Sequence, residues 1–196
     1  MANSTVFGGV AGDTMAADAA AGDLPLRDAD EEALAAEVAR ALHPFGQAGP
    51  RGPAGDVHGL RRRLMDLMWD DAGVIRTAEN LTRAQAQLGG LEAELLETGL
   101  ADGNRVFNLT WHDWLNLRSL IEVSQAIAAA ALARENSCGA HYREDFPDEG
   151  APAEARYTVV RRTGGGLDVS RQPVNFSIVQ PGESLLGEDH ATLAAI

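Results

Sequence analysis

The sequence has one cysteine, Cys138, aromatics at only 5% of residues, and no long apolar run. A single thiol forms no internal disulfide, and a secreted chain of this size ordinarily carries paired cysteines or a leader, so the cytoplasm is favoured. The opening stretch MANSTVFGGVAGDTMAADAA has no basic flank of the kind that begins a signal peptide. The most apolar segment, AIAAAALA at 126–133, is too short to cross a bilayer. Positive charge is also scarce: 16 Lys and Arg stand against 29 Asp and Glu, for a formal charge of -13. That balance argues against a nucleic-acid partner, because such binding is driven by basic residues displacing counterions. The one basic run, Arg61 to Arg63, suits the wet face of an amphipathic helix.

Motifs with defined chemistry are equally sparse. Histidines 43, 58, 112, 141 and 190 have no paired spacing, and structural zinc needs four nitrogen or sulfur ligands. Cys138 and His141, three apart, leave a nucleophile with its base or half a metal site as minor readings; the former needs an orienting group and an oxyanion hole besides. The larger weight goes to a helix-ending turn with Gly139 as the stop residue. GGVAGD, 8–13, follows no strand and lacks the G-x-G-x-x-G spacing of a dinucleotide loop. Glu144 and Asp145 are adjacent carboxylates in a loop and are expected to point apart into solvent.

Helical periodicity is what the chain does have. Residues 4–22 place Gly8 and Gly12 on one face of a helix suited to close packing. DADEEALAAEVARAL, 28–42, carries its acidic residues in the first turn, where they complement the helix dipole. HPFGQAGPRGPAGD, 43–56, concentrates Pro and Gly and reads as a loop. After Asp56 as N-cap, Val57, Leu60, Leu64, Leu67 and Met68 recur at helical spacing, and the period resumes from Val74 through Ala78, Leu81, Ala84, Leu88, Leu91 and Leu95. A third helix begins near NLTWHDW, with Thr110 and Asp113 as a capping-box variant, and runs through Leu117, Leu120, Ile121, Ser124 and Ile127 to about Arg134. Trp111 and Trp114 are expected to pack the end of the bundle.

The fold class is therefore mainly α, a three-helix antiparallel (spectrin-like) bundle over residues 57–150, preceded by a loop at 46–56. Past Pro147, RYTVVRR and PVNFSIV alternate and are β-branched, which predicts a small C-terminal β hairpin or sheet within a tail at 151–196.

Four segments carry a resemblance to a known family. SCGAHYREDFP, 137–147, resembles the SRGAHxRxDFP signature near the end of the flavoprotein subunits of succinate dehydrogenase and fumarate reductase and of L-aspartate oxidase. MWDDAGVIRT, 68–77, is similar to the start of that family's second bundle helix, and NLTWHDWLNLRSLIEVSQAIAAAALARENS, 108–137, to its third. ANSTVFGGVAGDTMA, 2–16, looks like the helix that follows the family's glycine-rich RLGGN segment.

The resemblance implies that this chain is the C-terminal, helical part of a FAD-dependent oxidoreductase. The main FAD-binding and catalytic segments, a Rossmann-type domain and a mobile capping domain, are expected upstream of Met1, and residues 1–45 are the helical end of the flavin domain. The chain would be completed by another chain, in the cytoplasm or peripheral to a membrane complex, and its expected partner is an FAD-binding flavoprotein chain or a second copy in a homo-oligomer. No catalytic residue and no metal are assigned to this chain. Asn3 and Ser4, at a helix start, are the residues expected nearest the flavin; Ser137, Gly139, His141 and Arg143 are expected to dock the helical domain on the flavin domain. Cys138 stands where the family has Arg, so one interdomain contact is expected to be lost. The alternative is a non-enzymatic helical module derived from that family, binding a protein through the small-residue face of residues 8–16.

Overall fold

The computed structural model describes residues 2–22, 30–46, 56–100, 102–164 and 166–183, so His190 lies outside the described residues. The chain divides into two units, Met1–Ala41 and Leu42–Ile196.

The first unit holds helix α1, Ala2–Ala21, and most of α2, Glu31–Gly46. Every side chain described in α1 is exposed, including Val6, Phe7, Val10 and Met15, and Gly8 and Gly12 face open space. Helix α2 is capped by Asp30, whose Oδ1 accepts from the Glu32 and Ala33 N–H groups at 3.1 and 3.0 Å. It does not stop at Leu42, as the Pro-Gly composition predicts, but continues through Pro44 to Gly46. The reason is tertiary. His43 Nε2 lies 2.8 Å from the Leu96 carbonyl oxygen, the Leu100 N–H donates to the Pro44 carbonyl at 3.3 Å, and Phe45 meets Trp111 edge-on at 5.0 Å. These contacts in the second unit hold a turn that proline alone disfavours.

The second unit is the expected bundle: α3, Val57–Ala72; α4, Ala78–Glu97; and α5, Leu109–Ala133. Its core is Leu60, Leu64 and Leu67 of α3, Ala84, Leu88, Leu91 and Leu95 of α4, and Trp114, Leu117, Ile121 and Ala128 of α5. Each buried leucine contributes roughly 1.5–3 kcal/mol by leaving water. Trp114 is wholly buried and satisfies its indole N–H on the Leu95 carbonyl at 3.0 Å. The caps are Asp56, Thr77 and Asn108, accepting from the His58, Asn80 and Trp111 N–H groups. Asn108 thus replaces the expected Thr110–Asp113 box: its side chain also donates to the Asp102 and Asn104 carbonyls, which fixes it at the helix entrance.

The periodic run at Val74 is not helical. The chain leaves α3 at Gly73 in a conformation that only glycine fits, since a Cβ there would lie 2.4 Å from the Trp69 carbonyl oxygen, and Ile75–Arg76 form a two-residue strand, β1, before α4 begins. Strand β1 pairs in parallel with β2, Tyr142–Arg143. The C-terminal strands form as an antiparallel hairpin, but with a different second member. Strand β3, Arg156–Thr163, pairs with β4, Gly166–Pro173, so the segment expected as connector is the strand. Two residues separate them in the chain, and Pro173, which lacks an N–H, pairs with Arg156 at the far end of the ladder. The hairpin packs on α5.

Candidate functional site

The four residues Cys138 to His141 form a tight turn in which the two end residues exchange backbone hydrogen bonds at 2.9 and 3.1 Å. Gly139 sits in it at φ 59°, a left-handed conformation that favours glycine. The turn delivers Tyr142 and Arg143 beside Ile75 and Arg76, and the ladder extends by one bond from the Glu144 N–H to the Arg76 carbonyl at 2.9 Å. Gly139 is therefore not the stop residue of α5, which ends five residues earlier with Arg134 as its C-cap.

Arg143 ends that helix instead. The last carbonyls of a helix have no intrahelical donors. Arg143, 1% exposed, reaches the end of α5, where its Nη1 donates to the Ala131, Leu132 and Arg134 carbonyls at 2.9, 3.1 and 3.0 Å. The other edge of the guanidinium forks onto Asp145, Nε to Oδ1 at 2.7 Å and Nη2 to Oδ2 at 2.8 Å. Asp145 Oδ2 also accepts from the Ala78 N–H at 2.8 Å, at the start of α4. One ion pair thus ties the carbonyl end of α5 to the amide end of α4, each charge matched to the nearer helix dipole. The hydrogen bonds from Arg143 hold the Asp145 carboxyl well below the usual carboxylate range, with the Ala78 N–H adding to the effect against a smaller desolvation penalty.

Ser137 closes the knot from below. Buried, its hydroxyl accepts the Arg143 N–H at 2.9 Å and lies 2.8 Å from the Phe146 carbonyl, while its own N–H donates to the Asp148 carbonyl at 2.8 Å. The Phe146 ring stacks under the guanidinium at 4.9 Å.

His141 has two fixed partners. Arg76 Nη1 lies 3.0 Å from Nδ1, and Nε2 lies 3.4 Å from the Arg134 carbonyl oxygen. A guanidinium only donates, so Nδ1 accepts and the proton sits on Nε2. Burial pushes the imidazole below its ordinary value, and the charges of Arg134, Arg76 and Arg143 push the same way, against the Arg134 carbonyl bond. Arg76 itself caps α3, its Nε donating to the Ala72 and Gly73 carbonyls at 3.1 and 2.8 Å.

This geometry removes the nucleophile reading. Cys138 is exposed, its Sγ lies 3.4 Å from Glu149 Oε1, and both nitrogens of His141 are engaged elsewhere. Among the described residues no group of three His, Cys, Asp or Glu side chains is arranged to hold a metal. Of the four residues predicted to dock, Ser137 and Arg143 are buried in the knot, Gly139 is exposed and His141 half-buried. Asn3 and Ser4 occupy the first turn of α1 in the other unit, with Ser4 exposed.

Sequence reasoning missed Asp145 and Arg76 as partners; Asp145 was expected to face solvent. It also missed Asp71, 5% exposed, which holds Arg83 through both carboxylate oxygens. The available signal for Asp71 was its place four residues after Leu67 on the apolar face of α3.

Comparisons with known proteins converge on one family. Residues 61–185 match the family described as fumarate reductase flavoprotein C-term. The fumarate reductase flavoprotein subunit of Mycobacterium tuberculosis is 32% identical over 157 residues, 80% of this chain and 26% of that protein. L-aspartate oxidase of Streptomyces coelicolor is 34% identical over 119 residues, 61% of this chain and 20% of that protein. Among solved structures, Mycobacterium smegmatis Sdh1 in complex with UQ1 superimposes with a TM-score of 0.69 at 28% identity, covering 79% of this chain and 26% of that one. The chain spans about a quarter of the length of the relatives it matches. Helices α4 and α5, the hairpin, the 137–147 knot and all of α3 after its first turn fall within the matched segment, and the chain belongs to the succinate dehydrogenase and fumarate reductase flavoprotein family as its C-terminal domain.

Proposed function

We propose that this chain is the helical scaffold of a FAD-dependent oxidoreductase, inactive alone and completed by a flavin-binding portion. The observation that carries the reading is partial coverage: the chain corresponds to 26% of a fumarate reductase flavoprotein subunit, and that part is its C-terminal domain. The described residues fit an FAD only at its margin. Asn3 and Ser4 lie in the first turn of α1, a helix end that favours electron-rich atoms, but among the described residues no glycine-rich cradle follows a strand. The flavin is therefore assigned to the completing portion, where it would supply the hydride chemistry.

In this reading Gly139 and His141 present the docking surface directly. Ser137 and Arg143 act from inside, by fixing the turn that carries them. Cys138, exposed beside Gly139, takes a position where a guanidinium fork would reach a partner carbonyl or carboxylate. The exposed apolar side chains of α1 would be covered by the completing portion. No helix among the described residues is long and apolar enough to cross a membrane, which accords with a cytoplasmic or membrane-peripheral subunit.

The test is co-expression with the gene product encoded immediately upstream, followed by native mass spectrometry. A stable complex of the two chains supports the reading. A monomer in both conditions that stays folded overturns it in favour of a non-enzymatic module.

A further inference from the structure

All 16 basic residues of this acidic chain are arginines, and three of them converge on one cavity. A hollow of about 360 Å³ between the end of α5, the 138–141 turn and β3 is lined by Arg76, Arg134, Arg156 and His141, over a floor that includes Ile127 and Ala131. Among the described residues no carboxylate lines it, in a chain that carries 29. None of the three arginines forms an ion pair among the described residues.

Gathering like charges in a concave surface raises the local potential and attracts an anion from solution. Two of the groups are already held in place. The carbonyls of Ala72 and Gly73 fix Arg76, and Asn136 Oδ1 accepts from Arg134 Nε at 3.2 Å. Little side-chain freedom is then lost on binding. A guanidinium presents a planar fork that matches carboxylate and phosphate oxygens. The apolar floor adds a second requirement, since a bare inorganic ion gains nothing from contact with Ile127 and Ala131. The volume falls in the range of small-molecule sites, about 300–1,000 Å³.

We propose that the Arg76–Arg134–Arg156–His141 cavity binds a small organic oxyanion, a carboxylate or phosphate ester with a short aliphatic body. This inference stands on the cavity and not on the completing portion.

The experiment is isothermal titration calorimetry of the 196-residue chain with citrate, glycerol phosphate and inorganic phosphate, each at an ionic strength balanced with sodium chloride. The expected result is saturable one-to-one binding of citrate or glycerol phosphate, weakened about tenfold or more in Arg134→Gln/Arg156→Gln and unchanged in Arg61→Gln. Citrate alone assigns carboxylates, and glycerol phosphate alone assigns phosphate esters. Arg134 serves the Arg143 knot only through its backbone carbonyl, which Arg134→Gln retains, and matching thermal melts check that the double variant stays folded. Absence of saturable binding by either organic anion, or undiminished binding in the double variant, overturns the proposal. So does binding of a polyglutamate peptide where neither organic anion binds, because that result describes a protein-docking face.

Discussion

Replacing Arg143 by methionine keeps an unbranched apolar stem and removes five side-chain hydrogen bonds at once: two to Asp145 and three to the carbonyls of Ala131, Leu132 and Arg134. Breaking a buried ion pair on one side costs roughly 3–5 kcal/mol. The side chain of Asp145 is 31% exposed, so water replaces part of what it loses, and the lower end of that range applies. The Ala131 carbonyl keeps the Arg134 N–H at 3.3 Å, so the further loss falls mainly on the half-buried Leu132 carbonyl, where a partly unsatisfied acceptor adds about 1 kcal/mol. Allowing for overlap between these contributions, a loss of about 3 kcal/mol is expected from a total that is typically about 5–15. Urea unfolding followed by tryptophan fluorescence should show the midpoint falling by roughly 1–3 M for an m-value of about 1–3 kcal/mol/M. Arg143→Lys should recover part of the loss, because an ammonium keeps the charge without the fork.

The same variant carries a pH signature. Asp145 titrates lower folded than unfolded, so its contribution is complete above the unfolded value, about 3.9, and fades as pH falls towards the folded one. The stability gap between wild type and Arg143→Met should therefore narrow at acid pH. A loss below about 1 kcal/mol, or a gap independent of pH, would refute the claim that Arg143 joins α5 to α4.

Other expectations follow from single residues. His141 also titrates low, so stability should fall as pH drops below the ordinary value of 6.5, His141→Gln should remove that dependence, and its NMR titration midpoint should lie below 6.5. Gly73→Ala should destabilise by about 1–3 kcal/mol in thermal melts, since its Cβ would meet the Trp69 carbonyl at 2.4 Å and the α3–β1 corner must shift. Cys138→Arg should leave the chain's own stability within about 0.5 kcal/mol, because the site is exposed; its effect should appear in the affinity for a flavin-binding portion. Trp114→Phe should cost about 0.5–1.5 kcal/mol in thermal melts for the lost indole hydrogen bond, since the Leu95 carbonyl keeps the Thr98 N–H at 3.0 Å.

The helices of the bundle were legible because α3 and α4 are apolar on one face only: Leu60, Leu64 and Leu67, then Leu81, Ala84, Leu88, Leu91 and Leu95, are all buried. Helix α5 was legible as a helix but not as a face. It carries apolar residues on more than one face, and Leu120 and Ile127, expected inside, are each 44% exposed, while Ala128 and Ala131 face the core. Local composition misled where distant contacts decide. Pro44 stays helical because its neighbours lean on α4 and α5, and the pairing of Thr163 with Gly166 moves the second strand forward. The segment 137–147 was recognisable as a signature, yet its physical content was hidden. An arginine and an aspartate two apart look like a solvated loop, and nothing local announces that the carbonyls they serve lie at residues 131–134 and the amide at residue 78.

The central claim is that this domain completes a flavoprotein, and the visible absorption spectrum of the chain co-purified with its upstream gene product tests it most directly. The account predicts flavin absorbance that travels with both chains and is reduced when Arg143→Met is substituted. Loss of flavin from the co-purified material, or a flavin-bearing upstream product that never retains this chain, would contradict it.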